Sequence, residues 1–131
     1  MGDRVVFAFG MDDFIFEIDD YGGIPVRLSR SVWEDKILSD SPIGHPEVVT
    51  HTDILPEAIQ RPDVVFCSTR RLDTHLFYKL HVDEGKHHIV IVVKYVIENK
   101  CRVGYVTTVY LTGKLYSKGD ILWTLQPKKT H

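Results

Sequence analysis

The stretch at residues 87–111, HHIVIVVKYVIENKCRVGYVTTVYL, constrains what this chain can fold into more than any other. Two runs, 89–97 and 102–111, are dominated by Val, Ile, Tyr and Thr and flank the polar turn Glu98-Asn99-Lys100. β-Branched and aromatic residues fit a pleated surface, and so short a turn brings its flanks together antiparallel, so the stretch predicts a long β-hairpin. The first run is apolar at both alternating sets of positions, which predicts a central strand covered on both faces. Lys94 interrupts it, and an ammonium there costs free energy unless it is paired or reaches a wet cleft. The second run carries the hydroxyl cluster Thr107-Thr108-Val109-Tyr110, where aliphatic residues would serve a purely structural strand. A functional site is expected on this hairpin.

Ahead of it, residues 4–10, 14–19 and 24–28 are short β-type runs, with Asp20-Tyr21-Gly22-Gly23 as a turn. They predict a short β-rich N-terminal extension over residues 1–25, on a domain spanning 26–131. The carboxylates Asp12, Asp13, Asp19 and Asp20 lack the ligand spacing of a calcium loop and read as a solvated acidic edge. A helix capped by Ser29 or Ser31 is expected to run through Val32 to Leu38, burying Trp33 and Ile37. A second begins at Thr52 or Asp53, takes Pro56 in its first turn and ends at Arg61-Pro62-Asp63. Strands follow at 64–68, 76–82, in the hairpin and at 119–125, and alternation within 76–82 places Lys79 and His81 on one side. The expected fold is α+β: two N-terminal helices packed on a mostly antiparallel sheet of about four to five strands.

With 131 residues, 44% apolar and 26% charged, the chain has the size and balance of one globular domain. No apolar run approaches the ~20 residues of a membrane-spanning helix. The first residues lack the basic start and cleavage site of a signal peptide. Cys67 and Cys101 form no disulfide framework and read as reduced thiols, which places the chain in the cytoplasm. Residues 1–60 carry 4 basic against 12 acidic residues, and residues 61–131 carry 12 against 6. Such a basic half either presents a positive face to a polyanion or is neutralised by the acidic half across the fold.

Seven histidines, at 45, 51, 75, 81, 87, 88 and 131, contain no HExxH and no tetrahedral set, so no metal is expected. Neither a GxSxG elbow, a P-loop nor a dinucleotide fingerprint is present, and no cofactor is expected. The remaining chemistry suits metal-free cleavage of RNA. RNA supplies its own nucleophile, the 2′-hydroxyl, so a protein need add only a base, an acid and donors for the charged transition state. His45, His81, Lys79, Lys94, Thr107, Thr108 and Tyr110 include every required type.

The order of short motifs carries a resemblance. Val26-Arg27-Leu28-Ser29 leads into a Trp-containing helix, His45-Pro46-Glu47 follows in a loop, and Arg61-Pro62-Asp63-Val64-Val65 ends the second helix. Phe77-Tyr78-Lys79, the run ending at Lys94, and Tyr105-Val106-Thr107-Thr108-Val109-Tyr110 come next. Over about residues 26–125 the chain resembles phage-associated members of the barnase–EndoU–colicin–RelE-like nuclease superfamily. That resemblance implies a small cytoplasmic, metal-independent ribonuclease of phage or toxin type, cutting RNA by 2′-hydroxyl transesterification. It implies an RNA substrate and admits an antitoxin- or immunity-type protein partner. It makes His45 the acid or base and Thr107, Thr108 and Tyr110 the phosphate contacts. Lys94 and Lys79 match no firm family motif; from the residues themselves Lys94 is expected as an electrostatic stabiliser, and Lys79, His81 and Glu47 as substrate contacts. Two positions depart from the family pattern: Gly44 stands where an arginine often precedes the His-Pro-Glu, and Val109 sits inside the Thr-x-Tyr end. A non-cleaving domain of the same fold, binding RNA or protein, is the alternative.

Overall fold

The computed structural model describes residues 6–7, 14–37, 52–82, 87–115 and 119–124. Within them eight strands form one sheet: β1 (Val6–Phe7), β2 (Phe14–Asp19), β3 (Pro25–Ser29), β4 (Val64–Cys67), β5 (Thr74–Lys79), β6 (His88–Glu98), β7 (Cys101–Thr112) and β8 (Ile121–Thr124). Their spatial order is β1-β2-β3-β7-β6-β5-β4-β8. Neighbours run antiparallel except β3 and β7, which run parallel over Val26↔Gly104 and Arg27↔Tyr105. The hairpin predicted from the sequence is the centre of the sheet. Asn99 and Lys100 both adopt left-handed φ, 51° and 69°, the backbone that lets a two-residue turn follow the twist of long strands.

The expected α+β arrangement of two helices on a four- to five-stranded sheet is overturned. Helix α1 (Arg30–Val32) is a single turn, with Ser29 Oγ accepting from the Val32 N–H at 3.1 Å, and it continues as a π-helical stretch, Trp33–Ile37. Helix α2 (Ile54–Gln60) has seven residues. Neither is long enough to organise a sheet of this width. The residues read as an N-terminal extension are instead part of it, because β3 docks beside β7 and brings β2 and β1 with it. Their apolar side chains, Phe16, Ile18, Val26 and Leu28, enter the main core with Phe77, Ile89, Ile91, Val93, Val106 and Val109. Leu55, Ala58 and Ile59 of α2 close that core from the same side.

A second cluster lies on the opposite face, where Val64, Phe66, Leu76, Tyr78 and Val90 are joined by Leu80, Val92 and Tyr110. The described helical residues that pack into a core all join the first cluster. β6 therefore contributes to both clusters alternately, which is why its sequence is apolar at both parities.

Asp20 corrects the reading of a solvated acidic edge. It is buried, and its Oδ1 accepts from the Gly22 and Ile24 N–H groups at 2.7 and 3.0 Å while Oδ2 accepts from the Tyr95 hydroxyl at 2.6 Å. The turn between β2 and β3 is thereby fastened to the centre of the sheet.

Candidate functional site

Strand register sorts the candidate residues by face. Val90 belongs to the second cluster and Ile89, Ile91 and Val93 to the first, so His88, Val92 and Lys94 lie with Val90 on the face away from the helices. Across the strands, Glu17, Arg27, Tyr105, Lys94 and Thr74 are successive register partners, one polar row over β2, β3, β7, β6 and β5. With neighbouring strands ~4.8 Å apart, that row is roughly 19 Å long. The next row is Thr108, Val92, Leu76 and Phe66, and the one after it is Tyr110, Val90, Tyr78, Val64 and Thr124.

Two of the predicted hydroxyls reach this face because of a bulge. Val92 partners Thr108 while Val93 partners Val106, which leaves Thr107 as the extra residue. Its hydroxyl donates to the Val92 carbonyl at 3.3 Å, so Thr107 anchors the backbone rather than a ligand. The extra residue puts Val106 and Val109 both into the main core and turns Thr108 and Tyr110 the other way.

The other candidates separate. Lys79 points to the helix side, where its ammonium donates to the Arg61 carbonyl at 2.9 Å and pairs with Glu57 at 3.3 Å and Asp63 at 3.9 Å. It is a structural cation. The expected shared side for Lys79 and His81 does not form, because β5 ends at Lys79 and His81 turns to a left-handed φ of 56°. His81 joins His88 instead: its backbone N–H donates to His88 Nδ1 at 3.1 Å, and the two rings meet edge to face at 5.0 Å. A backbone N–H only donates, so neutral His88 carries its proton on Nε2 and is no base. Of that pair, His81 is the exposed one and the one suited to proton transfer. His45 and Glu47 lie outside the described residues.

An open cavity of about 500 Å³ lies beside this array, lined by Ser68, Thr69, Arg70, Thr74, Leu76, Val92 and Tyr110. Its floor is the central strands and its rim is the loop between β4 and β5. Ser68 Oγ shapes that loop by accepting from the Arg70 and Arg71 N–H groups at 3.1 and 3.3 Å. Lys94 adjoins the cavity as the register partner of Thr74. Among the described residues, neither the Lys94 ammonium nor the Arg70 guanidinium has a hydrogen bond or an ion pair.

Arg27, in the same row, is the opposite case. It pairs with Glu17 at 3.3 Å and Glu98 at 3.5 Å, and donates to the Tyr105 hydroxyl at 3.1 Å, which in turn donates to Glu98 at 2.5 Å. This network ties four strands together where the parallel β3–β7 contact has only two register pairs. Lys94 and Arg70 are thus cations at or beside the cavity that have no partner among the described residues. Arg70, Ser68 and Thr74 were not singled out from the sequence, although the basic doublet Arg70-Arg71 in a Ser/Thr loop between strands is the pattern that marks them.

Two histidines titrate below the ordinary range. Burial, and then the neighbouring His81 and His87, hold His88 down; burial, and then Arg102, do so for His75. A depressed histidine takes its proton more readily in the unfolded chain, so the stability present above pH ~6.5 is lost as pH falls below that value. The thermal midpoint is expected to drop between pH 7.5 and 5.5, and the drop to shrink in His75→Asn. An unchanged slope in that variant would remove His75 from the account.

Among the described residues, no helix is long and apolar enough to cross a membrane, and no three His, Cys, Asp or Glu side chains gather as a metal site. Comparison with protein-family models, with curated proteins and with solved structures finds no match for this chain.

Proposed function

We propose that this protein binds single-stranded RNA on the face of the sheet that carries Lys94. The observation that carries this reading is Lys94 itself: a half-buried ammonium at the centre of the sheet, without a partner among the described residues, one row from Thr108 and beside the cavity of Arg70. Desolvating a cation without pairing it costs stability, and a phosphodiester supplies the missing anion. Ser68 and Thr108 add hydroxyls that bond phosphate oxygens, and Tyr110 offers an aromatic ring on which a base stacks. The resemblance to the barnase–EndoU–colicin–RelE-like superfamily points to the same polymer.

Cleavage by 2′-hydroxyl transesterification is the second reading, and the exposed His81, edge to face with His88, favours it, with His45 as the histidine the resemblance selects. Against it stands distance: His81 packs on His88, which is six positions from Lys94 along β6, roughly 20 Å, too far for that histidine and Lys94 to serve one phosphodiester together.

Fluorescent mixed-sequence RNA in EDTA separates these readings, using the wild type beside His45→Ala and His81→Ala. Anisotropy is expected to show binding that weakens with salt, with intact RNA recovered. Recovery of 2′,3′-cyclic phosphate ends, lost in one of the histidine variants, would make the protein a nuclease and identify its acid or base. Absence of binding at low ionic strength would sink both readings.

A further inference from the structure

Cys67 and His75 face each other across β4 and β5 as register partners, on the side of the sheet away from the RNA face. Opposed residues of an antiparallel pair hold their Cβ atoms about 4.5–5.5 Å apart, which makes the two side chains neighbours on this face. At rest Sγ leans towards two carbonyls, 3.7 Å from Ser68 O and 3.8 Å from Leu72 O. These are weak acceptor contacts for a thiol and hold the rotamer lightly. His75 Nδ1, meanwhile, is buried with no hydrogen-bond partner, and no other buried side-chain nitrogen or oxygen among the described residues is in that position. A polar atom left this way has a cost, and it calls for an explanation.

The surroundings hold the ring in place. It packs 4.8 Å from the Tyr95 ring, which is fixed by its bond to Asp20 and capped by the Arg102 guanidinium at 4.7 Å. Burial and Arg102 keep His75 neutral, with Asp20 and Asp73 pulling weakly the other way. A neutral imidazole accepts a proton, and the half-buried Cys67 is within reach of small reagents.

We propose that Cys67 and His75 form a nucleophilic pair, and that Cys67 Sγ is a site of covalent modification by small soft electrophiles and low-molecular-weight disulfides. The thiol proton passes to His75 as the sulfur turns inward. With an alkyl halide, an S–C bond forms, the carbon–halogen bond breaks and halide leaves. With a disulfide, a new S–S bond forms, the old one breaks, and the departing thiolate takes the proton back from the imidazolium. The two carbonyls that bracket the resting sulfur belong to the loop that carries Ser68 and Arg70, so an adduct at Cys67 displaces the rim of the cavity on the other face. That last link rests on the RNA reading; the thiol chemistry does not.

Cys101→Ser leaves Cys67 as the single thiol, and Cys67→Ser leaves the exposed Cys101 as an internal reference. Alkylation by iodoacetamide, followed by intact mass between pH 6 and 9, is expected to run about tenfold faster at Cys67 than at Cys101 at pH 7. Adding His75→Asn should bring Cys67 down to the reference rate or below. A Cys67 that reacts no faster than Cys101, or whose rate does not respond to His75→Asn, would overturn the pair. Should His75→Asn not fold, as judged by circular dichroism, the two single-thiol profiles decide alone: faster reaction at Cys67 supports the pair and reaction no faster than at Cys101 rejects it.

Discussion

Lys94→Met is expected to raise the stability of the fold by about 1 kcal/mol and to weaken RNA binding about tenfold at low salt. The two effects have one cause. Methionine keeps the straight chain that fills the space between Thr74 and Tyr105 but removes the ammonium whose hydration is curtailed there. In RNA the same ammonium displaces a counterion from phosphate, so its loss should lower the dependence of log K on log salt by about 1. Lys79→Met supplies the contrast. That lysine holds the Arg61 carbonyl, Glu57 and Asp63, so its replacement should lower stability and leave RNA binding alone. Urea midpoints and anisotropy titrations over a salt series measure both quantities. A Lys94→Met protein that is less stable and binds RNA as before would show that Lys94 is a packing residue.

These two lysines mark how far the sequence could be read. The β-runs at 14–19, 24–28, 64–68, 76–82 and 119–125, and both arms of the hairpin, all contribute strands of the sheet, because period and composition are local properties. The partners were not legible. The parallel contact of β3 with β7 joins Arg27 to Tyr105 across 78 positions, and no local pattern announces a pairing so distant. Without it, β2 looked like an appendage and the two short helices looked like a layer. The same limit applies to the site. Lys94 stood out because its neighbours are apolar at both parities, whereas Lys79 looked equivalent until α2 and Asp63 came to meet it. Thr107 and Thr108 differ only by the bulge between Val92 and Val93, which no property of either threonine foretells. Asp20 looked like one more member of an acidic run, and its burial depends on Tyr95 arriving from β6.

Asp20→Ala is expected to cost about 3–5 kcal/mol, a larger change in stability than the one at Lys94 and of opposite sign. Three donors lose their acceptor at once: the Gly22 and Ile24 N–H groups, and the Tyr95 hydroxyl. The two N–H groups lie in a turn where water can take over part of the loss. The hydroxyl cannot follow. Burial and its bond to Asp20 push Tyr95 far above the usual phenol range, and only 5% of the residue is exposed. The ring is packed in place as well, with the Arg102 guanidinium 4.7 Å and the His75 ring 4.8 Å from it, and it lies close over Gly104, where an added methyl carbon would come within 2.9 Å. An unpaired hydroxyl is therefore trapped in the core. Tyr95→Phe removes that hydroxyl while leaving Asp20 its two N–H donors, and should cost only about 1–2 kcal/mol. In the double variant the trapped hydroxyl no longer exists, so its loss of stability should fall short of the sum of the two single losses by at least about 1 kcal/mol. Urea denaturation of the four proteins completes the cycle. Additive losses would mean that Asp20 acts through the turn alone, and that the attachment of β2 to the central hairpin depends on apolar packing instead.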